Sequence, residues 1–138
     1  MANNAVYFDI ATYFNDNGFG VLGVDLFGAT WGFNDVAEVD RQILITDNGT
    51  QSGELKELYE RVSFQVLARG AANESPNVVH NRLRAIHEFL IAQSNIEING
   101  VCYLEFEIEN GPANIGQDSN SRFMSTANYY SFRNSIKN

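Results

Sequence analysis

A single cysteine, Cys102, is all the thiol this 138-residue chain has. It excludes an intramolecular disulfide and any multi-cysteine zinc site, so nothing calls for an oxidising compartment. No stretch approaches the roughly 18 apolar residues of a membrane span. Residues 1–4 carry no positive charge ahead of an apolar run, so neither a membrane anchor nor a secretory leader is expected. Without a leader, the Asn-x-Ser/Thr matches at Asn48 and Asn73 carry no glycosylation meaning. Bases are scarce too: nine Lys and Arg stand against seventeen Asp and Glu, a net charge of −8. That balance supplies no basic stripe for gripping a nucleic-acid backbone.

What is present is core material, with 44% hydrophobic and 12% aromatic residues and only two prolines. This lies outside disordered composition, and a chain of this length buries roughly two thirds of its unfolded surface. Residues 1–138 therefore read as one domain, and no internal repeat or linker divides them.

Periodicity orders the elements. Residues 3–15 place Val6, Ile10, Tyr13 and Phe14 at helical spacing, with Asn4 able to cap and Asn17-Gly18 to terminate. Residues 20–27 alternate, with Leu22, Val24 and Leu26 to one side, and a short strand is predicted over 42–46, closed by Asp47-Asn48-Gly49. Residues 60–68 alternate cleanly, Val62, Phe64, Val66 and Ala68 facing one way. Ser75-Pro76 opens a second helix whose stripe of Val79, Leu83, Ile86 and Leu90 runs to about Gln93.

Residues 96–109 read as a hairpin around Asn99-Gly100, a dipeptide suited to positive φ. Its second strand sends Cys102, Leu104, Phe106 and Ile108 one way and Tyr103, Glu105, Glu107 and Glu109 the other. A polar Gly-rich loop follows over 110–121, then alternation over 122–132. The order predicts an α+β fold: an antiparallel or mixed β-sheet with two main helices packed on one face.

The residues do not assemble a recognisable catalytic site. Glu105, Glu107 and Glu109 stand at alternate strand positions, neighbours roughly 6.6–6.8 Å apart, which resembles paired catalytic acids. A glycosidase, however, needs one carboxyl in an apolar pocket, and three adjacent exposed acids lack that asymmetry. A solvated face, or a row lining a lumen or meeting a neighbouring subunit's basic residues, accounts for them without chemistry. His80 and His87 are about 10.5 Å apart along one helix face, too far to share a metal, and read as structural. Cys102 is expected in the core. Gly18, Gly20, Gly23, Gly28 and Gly32 form no nucleotide-binding pattern. Phe27, Trp31 and Phe33 among them fit either a core lid or an interface loop. No catalytic residue, cofactor or metal is therefore assigned.

One run of motifs resembles a known family. Phe64-Gln65-Val66-Leu67-Ala68-Arg69-Gly70, the second helix, Asn99-Gly100-Val101 with Tyr103, then Gly111-Pro112-Ala113-Asn114-Ile115-Gly116-Gln117-Asp118 and Arg122 follow one another as in the phage minor capsid and tail-terminator family. The resemblance covers residues 60–134. It implies a structural virion protein at the tail/neck junction, made in the host cytoplasm: a homohexameric ring that caps the tail tube, stops its elongation and offers a docking surface to the head-tail connector or adaptor.

Its implied partners are further copies of itself, the tail-tube protein and that connector, with genomic DNA only passing through the lumen. Residue by residue, the resemblance places assembly contacts at Arg69, Pro112, Ile115, Gly116, Asp118 and Arg122, and no cofactor. A head-side neck or head-completion protein of the same junction is the rival reading, and a small carboxylate-dependent hydrolase built on Glu105 the third.

Overall fold

The computed structural model describes residues 5–29, 41–52 and 59–134. Expectations placed on Asn4, Trp31, Gly32 and Phe33 lie outside them. The elements run in the order Val6–Asp16 (α1), Leu26–Ala29 (β1), Gln42–Ser52 (β2), Tyr59–Arg69 (β3), Pro76–Ile91 (α2), Ser94–Ile98 (β4), Val101–Gln117 (β5) and Phe123–Asn134 (β6). The six strands form one mixed sheet in the order β1-β2-β3-β6-β5-β4, in which only the β1–β2 pair is parallel. Both helices pack against this sheet, giving the α+β architecture that the element order predicts.

Helix α1 buries Val6, Ile10, Ala11 and Phe14, and α2 buries Val79, Leu83, Ile86 and Leu90. They cover the sheet face carrying Val62, Phe64, Val66 and Ala68 of β3 and Ala127 and Tyr129 of β6. Ser75 caps α2 as expected, its hydroxyl accepting from Asn77 N at 3.2 Å. The N-cap of α1 is Ala5, with no side-chain hydrogen bond. Gly28 lets β1 approach α1, since a Cβ there would stand 2.6 Å from the Tyr7 ring.

Four expectations of the strands and their connections need correction, and each traces to a local break in regular pairing. The alternation over 20–27 is not a strand before Leu26. Asp25 Oδ1 accepts from Val21 N at 2.7 Å, Asn15 Oδ1 accepts from Leu22 N at 2.9 Å, and Gly23 takes φ 84°. Side-chain oxygens thus satisfy backbone donors that a ladder would have used. The strand predicted to close at Asp47-Asn48-Gly49 continues to Ser52, the register shifting between Asp47 and Gly49 as a bulge.

The tight turn at Asn99 (φ 51°) and Gly100 (φ 80°) forms as predicted. The facing of β5 does not. Tyr103 pairs with Arg133 and Phe106 with Ser131, so three steps on β5 match two on β6 and the extra residue reverses the alternation. Val101, Tyr103 and Phe106 are buried, whereas Cys102, expected in the core, is only half-buried on the opposite face. Finally, the loop expected over 110–121 is strand as far as Gln117. Its Asn and Gly residues are absorbed by register shifts between Ile108 and Asn110, Asn110 and Ala113, and Asn114 and Gly116.

One buried polar network joins the layers. Asp9, fully buried on the apolar stripe of α1, accepts from the Tyr103 hydroxyl at 2.6 Å and from Arg133 at 3.3 Å through Oδ2. Its Oδ1 accepts from Asn99 Nδ2 at 2.9 Å. Arg133 also donates to the Tyr103 hydroxyl at 3.0 Å and to Glu60 Oε1 at 2.6 Å. Burial, outweighing the nearby Arg133, pushes the Tyr103 hydroxyl well above its ordinary pKa, so it remains a proton donor.

Removing one member strands the others in a low-dielectric interior. Asp9→Ala is expected to destabilise by about 3–5 kcal/mol. Adding Arg133→Met to it costs less than the two single losses summed. Urea unfolding of the four proteins of the double-mutant cycle measures this, and additive losses would show that the network carries no coupling.

Candidate functional site

The sheet face away from the helices is the first candidate surface. Along β6 the buried residues Ser125, Ala127, Tyr129, Ser131 and Arg133 alternate with half-buried Thr126, Asn128, Tyr130 and Phe132. Tyr130 stands between Ser63 of β3 and Glu107 of β5. The Arg61 guanidinium lies 4.2 Å from the Tyr130 ring centroid and 3.8 Å from the Glu109 carboxylate, which also accepts from the Ser63 hydroxyl at 3.1 Å. Glu105 and Glu107 border a shallow cavity of about 360 Å³, lined besides by Asn95, Leu104, Tyr130 and Phe132.

All three glutamates are exposed, so no wall excludes water from any carboxylate, as an acid catalyst would require. A row of acids beside aromatic and aliphatic side chains is suited to docking.

The second candidate surface is the end of the sheet where β5 turns into β6. Arg69 pairs with Met124, and Met124 with Gly116, so these residues form one row across β3, β6 and β5. The turn beyond it is organised by Asp118. Its Oδ1 accepts from Asn120 N at 2.9 Å and Arg122 N at 3.1 Å, and its Oδ2 from Arg122 Nε at 2.8 Å. The fold thus gathers Arg69, Ile115, Gly116, Asp118 and Arg122 at one end, with Pro112 farther along the arm.

Their roles differ. Arg69 and Arg122 are buried, at 1% and 2% exposure, and Arg122 braces the turn through Asp118. Ile115 is 49% exposed, and Gly116 is exposed as well. These two present themselves to solvent most directly.

The histidines do not meet. His87 Nδ1 shares a hydrogen bond with the Tyr129 hydroxyl at 2.9 Å. Burial first, then the Arg84 charge, lowers its pKa, favouring the neutral ring. Among the described residues, no group of three or more His, Cys, Asp or Glu is placed to hold a metal, and no helix is long and apolar enough to cross a membrane.

Sequence reading missed the Asp9, Glu60, Tyr103 and Arg133 network. One signal was available, because Asp9 stands three residues after Val6 and beside Ile10, an acid on the apolar stripe of an amphipathic helix. It also missed Glu74, whose carboxylate bonds both Arg41 and Arg82.

A family model described as "Bacteriophage tail terminator protein" matches residues 13–131. No curated protein matches the chain.

The Asp118 turn has a defined pH response. Burial raises this carboxyl, but hydrogen bonds from Arg122 N and Asn120 N, together with the Arg122 guanidinium, outweigh it and hold the pKa below the ordinary value. Its stabilisation is fully present above the unfolded-state value and is lost as pH falls through the folded-state one. Asp118→Asn is expected to cost about 1–3 kcal/mol at neutral pH and to flatten the loss of stability below about pH 4. Thermal melts of both proteins from neutral to acid pH test this, and parallel curves would remove Asp118 from the acid response.

Proposed function

The chain belongs to the bacteriophage tail terminator family, and on that footing we propose that it caps the tail tube as a homohexameric ring. It is a tail structural protein, from a family not known as enzymes, and acts with other tail components in the virion. In the proposed reading, residues 1–138 act as one domain, the ring stops elongation of the tube, and its head-side surface receives the connector or adaptor. DNA only passes through the lumen, where the net charge of −8 disfavours adhesion of phosphate.

The observation that carries the reading is the family match across residues 13–131. It favours a terminator over a neck protein on the head side of the junction. The assembly contacts are assigned to the end of the sheet where β5 turns into β6, with Pro112, Ile115 and Gly116 facing partners and Asp118, Arg69 and Arg122 holding that end in shape. Surface loops and arms carried by a rigid sheet are well placed for docking, and exposed Ile115 supplies an apolar contact there.

Negative-stain imaging of the protein mixed with purified tail tubes is expected to show a sixfold ring at one tube end. Binding to portal or adaptor rings in preference to tubes would move the assignment to the neck. Ile115→Asp is expected to reduce capping or connector binding by more than about tenfold with a melting temperature within a few degrees of wild type. Undiminished capping and connector binding would take Ile115 out of the interface.

A further inference from the structure

Three large aliphatic side chains stand in the open on the loop between α1 and β1: Val21, Leu22 and Val24 are 56%, 41% and 58% exposed. An apolar cluster on a monomer surface is costly unless something covers it, and this one is held rigidly. Asp25 Oδ1 accepts from Val21 N and Asn15 Oδ1 from Leu22 N. Gly23 N donates to Leu26 O at 2.9 Å, and Val24 N to Val21 O at 2.9 Å. A preorganised apolar projection loses little conformational freedom on binding, as expected of an interface anchor.

Across the sheet is a receptor of matching chemistry. The loop leads into β1, one end of the strand order, whereas the cavity of about 360 Å³ lined by Leu104, Tyr130 and Phe132 lies among β4, β5 and β6 at the other. Each feature carries exposed charge, of opposite sign. Beside the loop, Arg41 and Arg82 line a common depression with Asp25 and share the one carboxylate of Glu74, and the Arg41 side chain is 61% exposed. Asp25, the acid of the loop, is turned onto Val21 N. At the cavity, Glu105 and Glu107 are exposed and make no ion pair among the described residues.

We propose that Val21, Leu22 and Val24 of one copy seat in the Leu104–Tyr130–Phe132 cavity of the next, with Arg41 facing Glu105 and Glu107. The occupant is a second copy of this chain. Projection and receptor lie on different patches at opposite ends of one sheet, so the contact is heterologous. Such a contact repeats from copy to copy and closes where its rotation allows. The inference rests on the ring reading and assigns two of the three acids to the contact between subunits.

Two variants of the full chain test it, both confined to exposed positions. Val21→Asn with Val24→Asn removes the apolar projection without adding charge, and Glu105→Lys with Glu107→Lys reverses the charge at the receptor. Native mass spectrometry, alone and on purified tail tubes, is expected to show rings for the wild type. Each variant alone should show a more than about tenfold loss of assembly.

An equimolar mixture of the variants should form a one-to-one dimer and nothing larger, because each retains one intact surface. That dimer also shows that both variants are folded. Rings from the wild type that persist in either variant overturn this contact and leave the ring reading standing. So does a mixture without dimers. A wild type that stays monomeric with and without tubes overturns both.

Discussion

One buried carboxylate holds together parts of the chain that are far apart in sequence. Asp9 reaches Tyr103 and Arg133, 94 and 124 residues away. Through Arg133 it is tied to Glu60, so α1, β3, β5 and β6 meet at a single charged cluster. A charge removed from water is stable only when partners surround it on the correct geometry, and the docking angle of α1 is therefore constrained tightly. Two surface features inherit that constraint. The loop carrying Val21, Leu22 and Val24 leaves the end of α1 and is fastened to Asn15, whereas Tyr103 fixes the start of β5 two residues ahead of Glu105. The proposed projection and receptor are thus referenced to the same interior anchor.

Much of this fold was legible because its strongest elements repeat at the right period over enough residues. The Val62, Phe64, Val66 and Ala68 alternation, the α2 stripe and the Asn99-Gly100 turn all form where their chemistry puts them. What could not be read was where regular pairing survives a break in pattern. Gly, Asn and Pro in the run Asn110 to Gly116 would serve a loop equally well. Here they sit in bulges because β6 offers a continuous partner on one side, with Asn128 Nδ2 donating to Asn110 Oδ1 and Ser125 Oγ to Asn114 Oδ1. The single extra residue between Tyr103 and Phe106 misled the reading most: a shift of one reverses every facing before it. It moved Cys102 out of the core and Tyr103 into it.

The candidate site was legible in a different sense. Five of the six positions proposed for assembly come together at one end of the sheet, although nothing local in the sequence shows that Arg69 and Gly116 share a row with Met124. Yet Arg69 and Arg122 are buried, and Asp118 is occupied in shaping the turn. The motif proposed for assembly thus contains residues that shape the turn as well as residues that are open to a partner. Separating them needs burial, which sequence spacing does not carry.

The same bulges bear on how copies of this chain can meet. β4 pairs with β5 only from Ser94↔Glu105 to Ile98↔Val101, so from Phe106 onward β5 has no strand on its outer side among the described residues. A long bare edge would ordinarily invite a neighbouring strand. Here three register shifts interrupt it, and Pro112 lacks an N–H to donate. Those interruptions oppose regular strand addition along β5. In the proposed contact, association through this side of the sheet is then left to side chains, and the side chains offered are the acids and the apolar cavity next to them. A contact built on side chains is set by shape and charge rather than by backbone pairing, so it can fix a defined angle between successive copies, and a defined angle is the condition for a closed ring.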